Sequence, residues 1–289
     1  MSLPKVYETV RPGIVAFAPF APDAIRKGSR HFDLVFGTGF IVDDSLIATN
    51  AHVAQEFDNI PSLAGQPRVV AMFFSRVPGG LGTVLLNVTK SVVIKSIGNT
   101  DMYFGPEDPD VALVAVNCRG LAKYALKLTA EPILEGTAIA TAGFPMGNVL
   151  MHLEGQLDHP APTLQAGIVS ATLPYPGASF SHGYLINVMV QGGASGSPVF
   201  LADSGEVIGA VYASRLEVDA QGRALPTNFS HVVPSFFLAE TLKQAREELA
   251  KYVAPDANHI DDVLASMPAQ PAQKITQGLF GGQPPLSHS

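Results

Sequence analysis

The chain has 289 residues, enough for one large or two modest domains, with a net charge of −7 and only 15% charged residues against a typical share of about 25%. Its 47% apolar content supplies a sizeable core and argues against a disordered chain. The acidic balance, with no basic stripe to offset it, argues against nucleic-acid binding through counterion release, and Cys118, the single cysteine, leaves no partner for a disulfide or a cysteine-based zinc site.

Glycine (27 residues) and proline (23) are both abundant, above average usage of about 7% and 5%. The N-terminal stretch Met1-Ser2-Leu3-Pro4-Lys5 lacks the charged-then-apolar order of a signal peptide. No apolar run is long enough to span a membrane. The expectation is a soluble, cytoplasmic protein, although an exported chain shorn of its leader would read the same. From residue 6 to about 233, short apolar runs alternate with turn signals. Ile14–Phe17 comes first, broken by Pro19 and Pro22. Leu34–Val42 and Leu46–Thr49 then flank Asp43-Asp44-Ser45 as a hairpin. Val69–Phe74, Val84–Val88, Ser91–Ile97, Val111–Val116, Ala138–Ala142 and Gly167–Ala171 continue the series. Tyr184–Val190, Val199–Leu201, Val207–Ser214 and Ser230–Val233 complete it. So many short strands with Gly/Pro turns predict an all-β chain, a closed barrel pair or a sandwich. Cys118 follows an apolar run and reads as a buried, inert thiol.

At Pro234-Ser235 the period changes. Phe237, Leu238, Leu242, Ala245, Leu249 and Tyr252 recur at helical spacing, with Ser235 as the expected cap, giving a helix over about 235–253. Residues 254–289 read as a Pro/Gly/Gln-rich flexible tail, with a possible short helix at Ile260–Met267.

Three segments carry chemistry. Gly37-Thr38-Gly39-Phe40 leads through the hairpin to Ala48-Thr49-Asn50-Ala51-His52-Val53. Asp110-Val111-Ala112-Leu113 opens an apolar strand, and Gly192-Gly193-Ala194-Ser195-Gly196-Ser197-Pro198 forms a glycine-rich loop. Each alone is a weak signal. In His–Asp–Ser order on an all-β chain, they resemble the trypsin-like serine proteases, closest to the HtrA-like, disulfide-free bacterial branch. The resemblance extends to Gly143-Phe144-Pro145-Met146-Gly147, Thr163–Ser170, Val207-Ile208-Gly209 and His231–Ser235, so it covers about residues 6–250.

That resemblance implies two six-stranded antiparallel β-barrels with a C-terminal helix, in one protease domain over 1–253. It also implies a serine endopeptidase acting on a protein or peptide substrate, without cofactor or metal. A serine hydroxyl needs an adjacent base, which histidine supplies near neutral pH, and a carboxylate fixes the imidazole tautomer. Ser195 becomes the nucleophile, His52 the base and Asp110 the orienter. Asp101, Glu107 and Asp108 lie nearby, but only Asp110 opens the strand as the family's Asp-x-Ala-Leu pattern requires. The backbone N–H groups of Gly193 and Ser195 would form the oxyanion hole.

By the same resemblance, Met189, six residues before the serine, stands at the base of the specificity pocket. Val211 stands where glutamate-specific relatives carry histidine. Neither is charged, so a small or medium apolar P1 residue is expected. Tyr212, Ala213 and Ser214 would pair with the substrate backbone. The other histidines (His31, His152, His159, His182, His231, His259 and His288) show no metal-ligand spacing and read as solvated or structural.

The chain also departs from the family. The interval from His52 to Asp110 is long, with loop insertions expected at Pro61–Gly82 and Gly98–Pro109, and Ala194 replaces a common asparagine. No PDZ-like domain is expected after the helix. The alternative reading is a catalytically silent or partner-activated binding module on the protease fold. An esterase elbow is disfavoured because Gly193-Ala194-Ser195-Gly196-Ser197 lacks its final glycine.

Overall fold

The computed structural model describes residues 1–20, 34–61, 65–77, 80–93, 109–129, 131–145, 152–153, 157–158, 161–176, 181–218, 221–222 and 224–267. The insertion expected at Gly98–Pro109, with Asp101, Glu107 and Asp108, lies outside these up to residue 108, as do His31, His159, His288 and the tail from residue 268.

Apolar runs without alternation require strands covered on both faces. Those of the first half form β1 (Ile14–Pro19), β2 (Gly37–Asp43), β3 (Leu46–Thr49), β4 (Val69–Val77), β5 (Gly80–Val93) and β6 (Ala112–Val116). They close an antiparallel barrel in the order β1-β2-β3-β6-β5-β4. Strand β6 is buried at every position. Ala112, Val114 and Val116 share a core with Val15, Phe17, Ile41, Ile47 and Phe73, which fills the barrel. The alternate residues Leu113 and Ala115 belong to another cluster.

The second barrel closes in the order β10-β11-β14-β13-β12-β7. Its strands are β7 (Ala138–Gly143), β10 (Thr163–Leu173), β11 (Gly183–Ile186), β12 (Pro198–Leu201), β13 (Val207–Val218) and β14 (Ala224–Pro234). A two-stranded ribbon, β8 (His152–Leu153) with β9 (Leu157–Asp158), stands apart. Ile139, Ile186, Val199, Ile208, Val211 and Val232 pack inside. A third cluster joins the barrels. In it Phe40, Met72 and Leu113 from the first barrel meet Phe144 and Phe200 from the second and Phe237, Leu238 and Leu249 from the closing helix. The expected architecture, two six-stranded barrels and a C-terminal helix, is the architecture observed.

Several boundaries differ from the sequence reading, each for a local reason. Val84–Val88 and Ser91–Ile97 were expected as separate strands. They contribute to one strand, β5, whose register shifts between Val88 and Lys90; such a bulge breaks the two-residue period. Within the stretch Pro61–Gly82, where a loop insertion was expected beside the strand Val69–Phe74, that strand runs on to Val77 and β5 begins at Gly80, the two pairing from Val70↔Asn87 to Val77↔Gly80. Two helices were not anticipated. Leu3–Val10 has a proline, Pro4, in its first turn and buries Val6 and Val10 one turn apart. Ala51–Asn59 buries Val53, Ala54 and Phe57.

The closing helix spans Ser235–Ala250, with Pro234 rather than Ser235 at its cap. The Ser235 hydroxyl instead donates to the Thr129 carbonyl. Residues 254–267, assigned by sequence to the flexible tail, cross back to the first barrel. Arg119 N donates to Asn258 O (3.0 Å) and Ile260 N to Arg119 O (2.8 Å). Ile260 opens a helix to Ser266 and is fully buried in the first barrel's core cluster.

Candidate active site

The hairpin β2–β3 delivers the chain to Asn50, which adopts extended backbone at the N-cap of the helix Ala51–Asn59. His52 is therefore the second helical residue, at the mouth of the first barrel. Asp110 lies just before β6, which pairs with β3 through Thr49↔Ala112. That pairing draws together two residues 58 apart in sequence. His52 N donates to Asp110 Oδ1 at 3.0 Å, and His52 Nδ1 lies 2.6 Å from Asp110 Oδ2. An ionised carboxylate only accepts hydrogen bonds, so Nδ1 carries the proton and Nε2 is left as the basic nitrogen. The His52 side chain is 46% exposed and that of Asp110 22%, so the imidazole reaches solvent while the carboxylate is largely covered.

Asn50 is a functional candidate that the sequence quoted without a role. Its buried Nδ2 donates to the Asp110 carbonyl at 2.9 Å. The amide thus fixes the main chain that presents the carboxylate.

Ser195 is carried by the other barrel, in the loop between β11 and β12. Ala194 N donates to Gln191 O (3.0 Å) and Ser197 N to Ala194 O (2.9 Å), forming two tight turns. Gly193 and Gly196 both take positive φ, +88° and +85°, which glycine adopts without the steric cost of a side chain. Gly196 N donates to Val211 O (2.9 Å) and Val211 N to Ser197 O (3.0 Å), clamping the loop to β13. Among the described residues, neither Gly193 N nor Ser195 N donates to a protein acceptor, and Ser195 Oγ makes no hydrogen bond, to His52 included. The structure therefore joins His52 to Asp110 and leaves the serine hydroxyl unbonded on the facing barrel.

The residues expected around the specificity pocket lie on two segments of the second barrel, Met189 after β11 and residues 211–214 on β13, and Val211 among them faces the core rather than a surface. Met189 is 38% exposed between buried Val188 and Val190. Behind it, Ser230 Oγ donates to Val188 O (2.6 Å) and accepts from Val190 N (3.3 Å), while Ser214 Oγ donates to Val190 O. Ser230 is a second contributor that sequence reasoning missed, since a serine in a strand carries no pattern. Val211 is fully buried in the second barrel's core. Tyr212 is half-buried, its ring centroid 5.8 Å from that of His231. Burial and the negative charge of Asp110 raise its hydroxyl pKa. Ala213 and Ser214 pair with His231 and Ser230 on β14. The pairing of β13 with β12 runs from Pro198↔Ala210 to Phe200↔Val207, so among the described residues no strand pairs with residues 212–214 on that side.

Cys118 sits in the first barrel's core cluster; burial first, and then the charge of Asp44, push its thiol pKa to about 11. No group of three His, Cys, Asp or Glu among the described residues could hold a metal ion. No described helix is long and apolar enough to cross a membrane.

No curated protein sequence matches the chain. Solved structures match its fold. Deg5 is 19% identical over 86% of this chain and 95% of its own, with a TM-score of 0.52. The HtrA-type protease AlgW, in a variant with a tripeptide, is 15% identical over 85% of this chain and 64% of its own, also at 0.52. The Rv3671c protease in its inactive form is 20% identical over 83% and 91%, at 0.47. A model of the trypsin-like peptidase domain matches residues 37–209, from the first strand of the β2–β3 hairpin through His52, Asp110 and Ser195 into β13. With that match spanning both closed barrels, the chain belongs to the trypsin-like peptidase domain family.

Proposed function

We propose that this peptidase-domain protein is a serine endopeptidase that cleaves protein or peptide substrates through an acyl-enzyme intermediate. The observation that carries the reading is the double contact of Asp110 with His52, through the backbone N–H and through Nδ1, facing a loop with two undirected amides. His52 Nε2 takes the Ser195 proton as Oγ attacks the scissile carbonyl carbon. The carbonyl oxygen becomes an oxyanion that accepts from Gly193 N–H and Ser195 N–H, donors worth about 10²–10³ each in rate. His52 then gives its proton to the departing amine, leaving an ester on Ser195. Water, deprotonated by the same Nε2, hydrolyses the ester and restores the hydroxyl. Asp110 stays ionised throughout and stabilises the imidazolium.

An uncharged wall at Met189, with no carboxylate there to meet Lys or Arg, supports cleavage after small or medium apolar residues. The unpaired side of β13 at Tyr212, Ala213 and Ser214 supports binding of the substrate backbone by strand addition.

One observation favours a second reading, the silent or partner-activated module: Ser195 Oγ is unbonded although the His52–Asp110 pair is formed. Catalytic hydrogen bonds often tighten only when substrate is bound, so the first reading stands ahead. Intact mass after treatment with a fluorophosphonate decides between them, using Ser195→Ala and heat-unfolded controls. A single adduct on folded wild type alone is the expected result. No adduct on well-folded wild type overturns the first reading and favours the second.

A further inference from the structure

The loop that carries Ser195 does not hold its shape by itself. Its turns are made within the loop, and one edge is clamped to β13. Across to the opposite barrel, the described attachment of residues 191–197 is to Thr38 on β2, which is fully buried. Thr38 N donates to Ser195 O at 2.9 Å. Thr38 Oγ1 donates to Gly193 O at 2.7 Å and accepts from Phe144 N at 3.1 Å. The Thr38 carbonyl accepts from Thr49 Oγ1 at 2.7 Å, which ties the same residue to the strand leading to His52.

We propose that Thr38 is a positioning residue for the oxyanion loop, its hydroxyl setting the orientation of the 193–194 peptide through the Gly193 carbonyl. The inference rests on the proposed serine-peptidase reading. Its physical basis is backbone freedom. Gly193 lacks a side chain to restrict its ψ. The turn bond from Ala194 N to Gln191 O holds one side of the 193–194 peptide and the Thr38 hydroxyl holds the other through the Gly193 carbonyl, while the backbone bond to Ser195 O fixes the next residue but one. The aim of the Gly193 and Ser195 amides then depends on the first barrel. A hydroxyl is needed, because a single group must donate to Gly193 O and accept from Phe144 N; valine does neither, and serine does both. The connection spans 155 residues of sequence, which makes it a joint between the halves of the site.

The test compares Thr38→Val and Thr38→Ser in the full chain, with wild type and Ser195→Ala alongside. Three quantities are read: the second-order rate of fluorophosphonate labelling, the kcat and KM on a cleaved peptide, and hydrogen exchange of the segment 191–197. Circular dichroism and melting establish that each variant is folded. The expected result is that Thr38→Val labels about tenfold to a hundredfold more slowly, a range typical of misplaced catalytic geometry. The loss falls on kcat rather than KM, and exchange at Ala194, Gly196 and Ser197 accelerates. Thr38→Ser returns all three readouts to within about threefold of wild type. A folded Thr38→Val with wild-type labelling and exchange overturns the proposal. So does a Thr38→Ser variant as slow as Thr38→Val, since the methyl group rather than the hydroxyl would then matter. If folded wild type itself takes no label, the peptidase reading fails separately, and the exchange comparison alone decides whether Thr38 holds the loop. Should Thr38→Val fail to fold, Thr38→Ala replaces it under the same criteria, and failure of both variants to fold assigns Thr38 to stability and overturns the proposal.

Discussion

Asp110 holds His52 at two points, accepting from its backbone N–H at 3.0 Å and from its ring Nδ1 at 2.6 Å. The two bonds constrain different things: one fixes where the helix begins relative to the carboxylate, the other fixes the ring's tautomer. Asp110→Asn separates them. Asparagine can still accept from His52 N through Oδ1, but it presents an N–H₂ donor toward Nδ1 and so favours the wrong tautomer. The fold should survive with little change in Tm, while kcat on a cleaved peptide falls by about 10³–10⁴. A loss below tenfold would remove Asp110 from the proposed mechanism.

The glycines of the loop that carries Ser195 are not equivalent. A Cβ at Gly196 would lie 2.0 Å from the Thr38 carbonyl oxygen and 2.3 Å from Thr49 Oγ1, at a φ of +85°; a Cβ at Gly192 would meet nothing within 4 Å. Gly196→Ala should cost about 3 kcal/mol or more, combining left-handed strain with a clash against backbone. Gly192→Ala should stay within about 0.5 kcal/mol of wild type. Urea melts of the two variants make the comparison, and equal stabilities would contradict it.

Ser230 supports the wall of the proposed specificity pocket from behind. In Ser230→Ala the carbonyl of Val188 and the N–H of Val190 lose their partner in a buried setting. The expected loss is about 1–3 kcal/mol of stability. It should be accompanied by a drop of about tenfold in kcat/KM for peptides with an apolar P1 residue. Steady-state kinetics on a P1 series would show whether the loss follows that residue.

Cys118 provides a pH-dependent check that does not involve the cleft. With its pKa pushed to about 11 by burial and the Asp44 charge, only about one thiol in a thousand is thiolate at pH 8. Iodoacetamide should therefore leave the folded protein unmodified over the time in which it alkylates the urea-unfolded chain. Because the folded pKa is the higher one, the thiol's contribution to stability is intact below pH 9. It is lost as the pH climbs from there to about 11, where the unfolded chain ionises more readily. Cys118→Ser should flatten part of the alkaline fall in Tm. Rapid alkylation of the native state would contradict the assigned environment.

Ile260 tests the returning segment. Fully buried in the first barrel's core, it should cost about 2–5 kcal/mol when replaced by alanine. Thermal melts would register this. A variant as stable as wild type would mean that residues 254–267 add nothing to the fold.

Much of this architecture can be read from the sequence because its barrels bury strands on both faces. Val111–Val116 and Ile14–Phe17 appear as unbroken apolar runs, and the turn at Asp43-Asp44-Ser45 marks the hairpin that leads to His52. Both members of the His52–Asp110 contact were singled out through the resemblance to the trypsin-like proteases, since an acid opening a strand and a histidine following one are each weak signals alone. The helix at Ala51–Asn59 was missed because its buried face is short, Ala51, Val53, Ala54 and Phe57, two of them alanines that carry little hydrophobic signal. The packing of Ile260 was missed because one apolar residue in a polar stretch has no periodic signature. Thr38, Asn50 and Ser230 escaped for a different reason: each acts through one polar atom on a backbone group 155, 60 or 42 residues away, and the chemistry of that contact exists only once the barrels are closed.

The two ends of the described chain cross over. The helix Leu3–Val10 precedes the first barrel, yet Tyr7 donates its hydroxyl to Pro162 O beside β10 at 2.6 Å, and Val6 and Val10 lie against Gly205 of the second barrel. The segment ending at residue 267 follows the second barrel, yet it seats Ile260 in the first. Each half thus wears the other's terminus, as two hands clasp by interlocking fingers. Cutting the connection between β6 and β7 would yield two fragments that remain fastened at both ends, a naturally complementing pair. Conversely, a ribosome that has released only the first barrel has made a structure still missing its own lid. The bond from Thr38 to the loop of Ser195 likewise exists only when both barrels have closed.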